Sequence, residues 1–127
     1  MTRVPAPTLD TALVATGGAL GTLLRYGLDE TLGVVGDVPV ATLVVNLVGS
    51  LAIGVLIGRG LAERTRLLVC VGVLGGFTTY SAFAVQLHDL GSTADGALAF
   101  AYAAATVVVG FALAVAGLRW GQRRSAR

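Results

Sequence analysis

Charges divide the chain into four long apolar stretches. Between Asp10 and Asp29 lie 18 residues with one charge, Arg25. Between Asp37 and Arg59 lie 21 with none, and between Arg66 and Asp89 lie 22 in which His88 is the one basic side chain. Between Asp95 and Arg119 lie 23 with none. A helix needs roughly 20 apolar residues to cross the hydrocarbon core. The pattern therefore predicts an all-α membrane protein of four transmembrane helices, over 11–28, 38–58, 67–88 and 96–118. Short loops join them, and residues 1–127 form a single domain. Arg3 ahead of a run of small and apolar residues also suits a signal peptide. The run continues to Leu24 with no small-x-small cleavage site, so the first stretch is read as a helix.

Composition agrees. Hydrophobic residues make up 55% of the 127 positions and charged residues 13%, whereas a soluble domain carries about 25% charge. All nine basic residues are arginine. They are scattered, without the basic, aromatic-interleaved stretch that nucleic-acid binding requires. Cys70 is the one cysteine, so no intrachain disulfide is possible. Eighteen glycines are present, many inside the spans. Gly17-x-x-x-Gly21 and Ser50-x-x-x-Gly54-x-x-x-Gly58 are small-residue faces through which membrane helices approach closely. Eight of the nine arginines lie before the first span, between the second and third, or after the fourth. Those regions share one side, which the positive-inside rule assigns to the cytoplasm. Both termini of a cell-membrane protein are then cytoplasmic. Tyr26 and Trp120, near span ends, suit an interfacial aromatic belt.

Polar groups inside spans point to function, because each costs free energy unless it finds a partner. Asn46 lies mid-span; it either pins two helices together or lines a pathway. The third span carries GGFTTYSAF, residues 75–83. Gly75 and Gly76 loosen a helix, while Thr78, Thr79 and Ser81 offer hydroxyls. A break at this depth requires partners for the freed backbone groups; the alternative is a tightly packed helix with threonines bonded to the i−4 carbonyl. Tyr80 and Phe83 share a helical face, and their positive ring edges suit an anion, although aromatic packing is the commoner use. Tyr102 and Thr106 share another face. Tyr102 also fits an interfacial anchor and Thr106 a back-bonded hydroxyl. No span has a central carboxylate, which argues against proton coupling. No nucleophile–base pair or metal cluster appears, so enzymatic activity is not expected. The donors suit a small neutral or anionic solute.

Three segments carry a resemblance. GGALGTLLRYGL (17–28), ATLVVNLVGSLAIGVLIG (41–58) and GGFTTYSAFA (75–84), followed by a fourth span with Tyr102, resemble the CrcB/Fluc fluoride channel family in type and order. The resemblance implies a passive, fluoride-selective channel that lowers cytoplasmic fluoride. It implies an antiparallel dimer with two pores and a structural, non-transported sodium ion at its centre. Gly75 and Thr78 would offer backbone carbonyls to that ion. Asn46 would donate to fluoride, Phe83 and Tyr80 would line its path, and Ser81, Tyr102 and Thr106 would extend a polar track. Arg25 matches the family's arginine at the end of the first helix and would make a vestibule electropositive, unless it simply snorkels. Tyr80 stands where the family often has phenylalanine, and Ala82 where it often has threonine.

The arginine bias bears on assembly. An antiparallel homodimer needs one sequence that inserts both ways, yet here one side holds eight arginines and the other one. The family resemblance includes paired chains of opposite orientation, so a heterodimer with a related, reversed chain is expected, with a homodimer as the alternative. Two rival functions remain at this point. A small multidrug-type exporter would want a glutamate in the first helix, and 11–28 has none. A non-transporting scaffold subunit would use the glycine faces but has no need of the polar block at 75–83.

Overall fold

The computed structural model describes residues 8–93 and 96–125, and the described residues are almost wholly helical. Helix α1 runs Leu9–Leu32, α2 Val40–Gly58, α3 over 63–77, α4 Tyr80–Thr93 and α5 Gly96–Ser125. Helices α3 and α4 are the two halves of the broken third span. Arg3, Asp95 and Arg127, which enter the charge count, lie outside the described residues.

Local chemistry sets the ends. The Thr8 hydroxyl accepts the Thr11 N–H to cap α1, and Asp10 complements the positive end of the helix. Gly33, at φ 52°, stops α1 and donates its N–H to the Asp29 carbonyl. A tight turn follows, in which Val35 and Val38 exchange two backbone hydrogen bonds around Gly36, itself at φ 62°. Pro39 precedes α2, where its missing N–H does no harm.

Three stretches are long and apolar enough to cross a membrane: Val40–Gly58, Glu63–Ser92 and Gly96–Ser125. Helix α1, with 24 residues, is about 36 Å long at 1.5 Å per residue. Arg25 and its many small residues make it less apolar than the others. Two stretches wind wider than an α-helix, Leu67–Leu74 in α3 and Ala105–Val109 in α5. Such π turns often mark functional sites.

Glycines decide which helices touch. The buried residues of α1 are Gly17 and Gly21. A Cβ on Gly17 would strike the Leu68 carbonyl oxygen, and one on Gly21 the Val73 carbonyl oxygen. From the other side, a Cβ on Gly72 would meet Gly17, and one on Gly76 would strike Gly18. So Gly17-x-x-x-Gly21 faces Gly72-x-x-x-Gly76, and α1 runs parallel to α3. The second pair repeats the device. Gly54 and Gly58 of α2 face Ala114 and Leu118, while Gly117 and Gly121 of α5 face Leu51 and Val55. Backbones at van der Waals distance gain dispersion contact that lipid cannot supply between bulkier faces.

The bundle is completed by a small cluster of Phe83, Leu90, Ala99 and Tyr102 between α4 and α5. Large apolar side chains such as Leu23, Leu24, Val108 and Phe111 point outward, as lipid contact favours. At one end the Ser125 hydroxyl donates to the Arg59 carbonyl (3.2 Å), which ties the end of α5 to the end of α2. Arg124 lies over the Trp120 ring, 5.4 Å from its centroid.

Gly21→Leu should therefore separate α1 from α3. The expected loss is at least the roughly 1–3 kcal/mol of an overpacked core, read as a lower thermal unfolding midpoint in detergent. Gly27→Ala is the control. A Cβ there meets nothing within 4 Å, so stability should hold or rise by about 0.4–1 kcal/mol.

Candidate functional site

The third span breaks at Thr78 and Thr79, and Asn46 holds the break. Thr78 leaves helical geometry at φ −75°, ψ 153°. Its N–H and hydroxyl still bond back to the Leu74 carbonyl, both at 2.9 Å. Thr79 is released on both sides. Its N–H donates to Asn46 Oδ1 (2.9 Å), and its carbonyl accepts from Asn46 Nδ2 (3.1 Å). One carboxamide thus satisfies both backbone groups of one residue, as a neighbouring strand would. The Thr79 hydroxyl then accepts the Ala82 N–H (3.1 Å) and caps α4. Gly75 and Gly76 themselves stay helical. Gly76 is small because it touches Gly18, so close packing rather than a loosened backbone accounts for it.

A cleft of about 380 Å³ lies beside the break. It gathers Asn46, Gly75, Thr78, Tyr80, Phe83 and Thr106 from four elements, along with Cys70 and Leu74 from one π turn and Val107 from the other. Phe83 stacks on Tyr102 with centroids 5.6 Å apart and planes at 29°. The stack covers one ring face, which leaves the positive edge to meet a neighbour. Tyr80 lies 6.1 Å from Phe83, tilted by 47°, and is 82% exposed. Its ring stands on the outside of the chain.

The remaining expected residues are placed differently. The exposed Ser81 hydroxyl lies 3.3 Å from the Thr79 hydroxyl. Thr106 donates its hydroxyl hydrogen to the Tyr102 carbonyl (2.8 Å). Tyr102, only 3% exposed, donates its own to Gln86 Oε1 (3.0 Å). Ser81, Tyr102 and Arg25 are absent from the lining of the cleft. Arg25 instead reaches the opposite flank of the broken span, with Nε 3.4 Å from the Gly76 carbonyl oxygen.

Gln86 is the residue that reading the sequence missed. The rule that singled out Asn46, a polar side chain inside an apolar span, applies to it equally. Gln86 bonds Tyr102 on one side and lines a second cleft of about 240 Å³ on the other, with Asp37 and Asp89. A line of contacts, Phe83–Tyr102–Gln86, thus runs from one cleft to the other.

Helices of spanning length, a span broken mid-course and a largely apolar cleft that holds Asn46 and three threonines at the break define a multi-pass, all-α membrane protein. Residues 12–118 match the family described as CrcB-like protein, Camphor Resistance (CrcB), and the chain belongs to that family. It is 41% identical over 107 residues to the "Fluoride-specific ion channel FluC 2" of Rhodococcus jostii strain RHA1, covering 84% of this chain and 94% of the relative. It is 42% identical over 115 residues to the "Fluoride-specific ion channel FluC" of Thermus thermophilus, covering 86% and 92%. A protein of the same name in Paracoccus denitrificans is 40% identical over 114 residues, covering 86% and 91%.

Asn46→Leu should free the backbone of Thr79. An unpaired buried polar group costs about 1–3 kcal/mol. Hydrogen exchange across residues 78–82 should accelerate and the unfolding midpoint should fall. Unchanged exchange there would show that Asn46 does not hold the break.

Proposed function

We propose that this chain is a passive, fluoride-selective channel subunit of the cell membrane that lowers cytoplasmic fluoride. The observation that carries the reading is the break itself, where Asn46 and the edge of Phe83 meet in one cleft. The names of the curated relatives support it. Fluoride is small and strongly hydrated, so a path must replace lost water with close donors. Asn46 uses one amide hydrogen on Thr79 and keeps a second for a ligand. The Phe83 edge offers weak positive charge without water. Gln86 keeps its amide hydrogens because its oxygen accepts from Tyr102. Among the described residues no carboxylate lines the larger cleft, so an anion meets no fixed negative charge there.

A second subunit completes the site. The cleft opens to the outside of one chain, beside the exposed Tyr80 ring. An antiparallel partner would cover both. The arginine bias fixes this chain with its termini in the cytoplasm, and a related chain of reverse bias would supply the other half. The freed carbonyls also fit a structural sodium ion. Asn46 draws the Thr79 N–H away from Gly75, its helical acceptor, and Thr78 leaves helical geometry. Carbonyl oxygens suit a hard cation. Such an ion would supply positive charge where the subunits meet, and Gly75 and Thr78 of each chain would hold it. One chain's two carbonyls are too few for a full shell, which again calls for a partner.

Fluoride efflux from liposomes tests this, with chloride as the control anion. This chain with a related chain of reverse arginine bias should release fluoride and retain chloride. Phe83→Ala should lower the rate at least about tenfold, the equivalent of losing one ordinary polar or ring contact. Replacing sodium with a bulky organic cation should also lower it. Efflux from this chain alone would remove the need for a different partner, and silence from both preparations would overturn the channel.

A further inference from the structure

The carbonyl end of α3 is met by two donors from α1. Thr22 Oγ1 and Arg25 Nε each lie 3.4 Å from the Gly76 carbonyl oxygen. They stand three apart on α1 and so share a face. In a continuous helix the Gly76 carbonyl would accept the N–H of Tyr80, which here lies beyond the break. Carbonyls in the last turn of a helix lack partners and carry partial negative charge. Water cannot serve them at this depth unless a cavity reaches them.

We propose that Thr22 and Arg25 form a two-donor clamp on the Gly76 carbonyl that fixes where the third span breaks, so that Arg25 acts on transport as a positioning residue and not as a charge met by the ion. Three further observations carry it. The Gly18–Gly76 and Gly21–Val73 backbone contacts hold α1 against this turn, so both donors are delivered by packing. Arg25 does not line the cleft that holds Asn46 and Phe83. Its Nη1 lies 3.9 Å from Asp29 Oδ2, one turn further along α1. The guanidinium thus faces a carbonyl on one side and a carboxylate on the other. Asn46 grips Thr79 from the α2 side, while the clamp grips Gly76 from the α1 side. The break is fixed between them.

The full-length protein in detergent micelles offers a direct readout. Gly-Phe steps occur twice in the sequence, at Gly76–Phe77 and Gly110–Phe111. Labelling glycine carbonyl carbon with ¹³C and phenylalanine nitrogen with ¹⁵N therefore gives two correlated signals, one at the clamp and one as an internal reference. In Thr22→Val and in Arg25→Gln the Gly76 carbonyl signal should move upfield, the direction of a lost hydrogen bond, while the Gly110 signal stays. Arg25→Lys keeps a charged donor and should return the signal part of the way. Fluoride efflux should fall in the same order, by about tenfold for Arg25→Gln, and should fall in Thr22→Val although no charge has changed. The efflux measurement rests on the channel reading and the spectral one does not. If unaltered protein carries no fluoride either alone or with a related chain of reverse arginine bias, the channel fails and the Gly76 signal still decides the clamp. Thr22→Val preserves shape and charge, so it decides the matter if Arg25→Gln does not fold. An unmoved Gly76 signal in Thr22→Val overturns the proposal. So does unchanged efflux in Thr22→Val with a moved signal, since the charge of Arg25 would then be what transport requires.

Discussion

Inside a bilayer, a backbone group without a partner has no water to fall back on. The break at Thr78 and Thr79 releases such groups, and much of the surrounding structure answers that demand. Asn46 takes the N–H and carbonyl of Thr79. The Thr79 hydroxyl takes the Ala82 N–H, and Leu74 receives both donors of Thr78. Thr22 and Arg25 reach the Gly76 carbonyl. No buried side-chain polar atom among the described residues is left without a partner. A break maintained this fully is a specified feature of the chain.

Satisfaction on this scale needs helices close enough to exchange side-chain hydrogen bonds with one another's backbone. The matched glycines provide that closeness. Gly17, Gly21, Gly72 and Gly76 set α1 against α3 so closely that Thr22 and Arg25 come within reach of the Gly76 carbonyl. On the other flank Gly49 lies under Thr78, where a Cβ would strike the threonine methyl, and Asn46 sits about one turn before it on α2. Packing and polar chemistry are therefore one problem here, solved by small residues at particular positions.

Much of this is legible in the residues, with instructive exceptions. Charge-free runs mark the strongly apolar spans because hydrocarbon excludes charge. The hydroxyl-rich block at 75–83 marks the break because such groups need partners. The spacing does not show that the chain parts after Phe77 while Gly75 and Gly76 stay helical; tertiary contact with Gly18 decides that. Gly72-x-x-x-Gly76 and Gly117-x-x-x-Gly121 follow the same rule as the small-residue faces of α1 and α2 and were readable. Gln86 was readable too. The π turns at Leu67–Leu74 and Ala105–Val109 leave no plain mark, since winding depends on what the backbone packs against. Thr106 back-bonds to the Tyr102 carbonyl, one of the two readings its position allows, whereas the sequence does not show that the Tyr102 hydroxyl turns to Gln86, because rotamers follow from neighbours.

The two parallel glycine contacts also govern the order in which the molecule can come together. Helix α1 meets α3, and α2 meets α5, so each tight pair skips the helix next in sequence. Neighbouring spans emerging as hairpins would lack these contacts. The α1–α3 contact becomes available only with the third span and the α2–α5 contact only with the last, and until the third span is in place Asn46, Thr22 and Arg25 lack the backbone partners they later hold. Truncation of the final helix would remove the support of the second while leaving the contact of α1 with α3 in place.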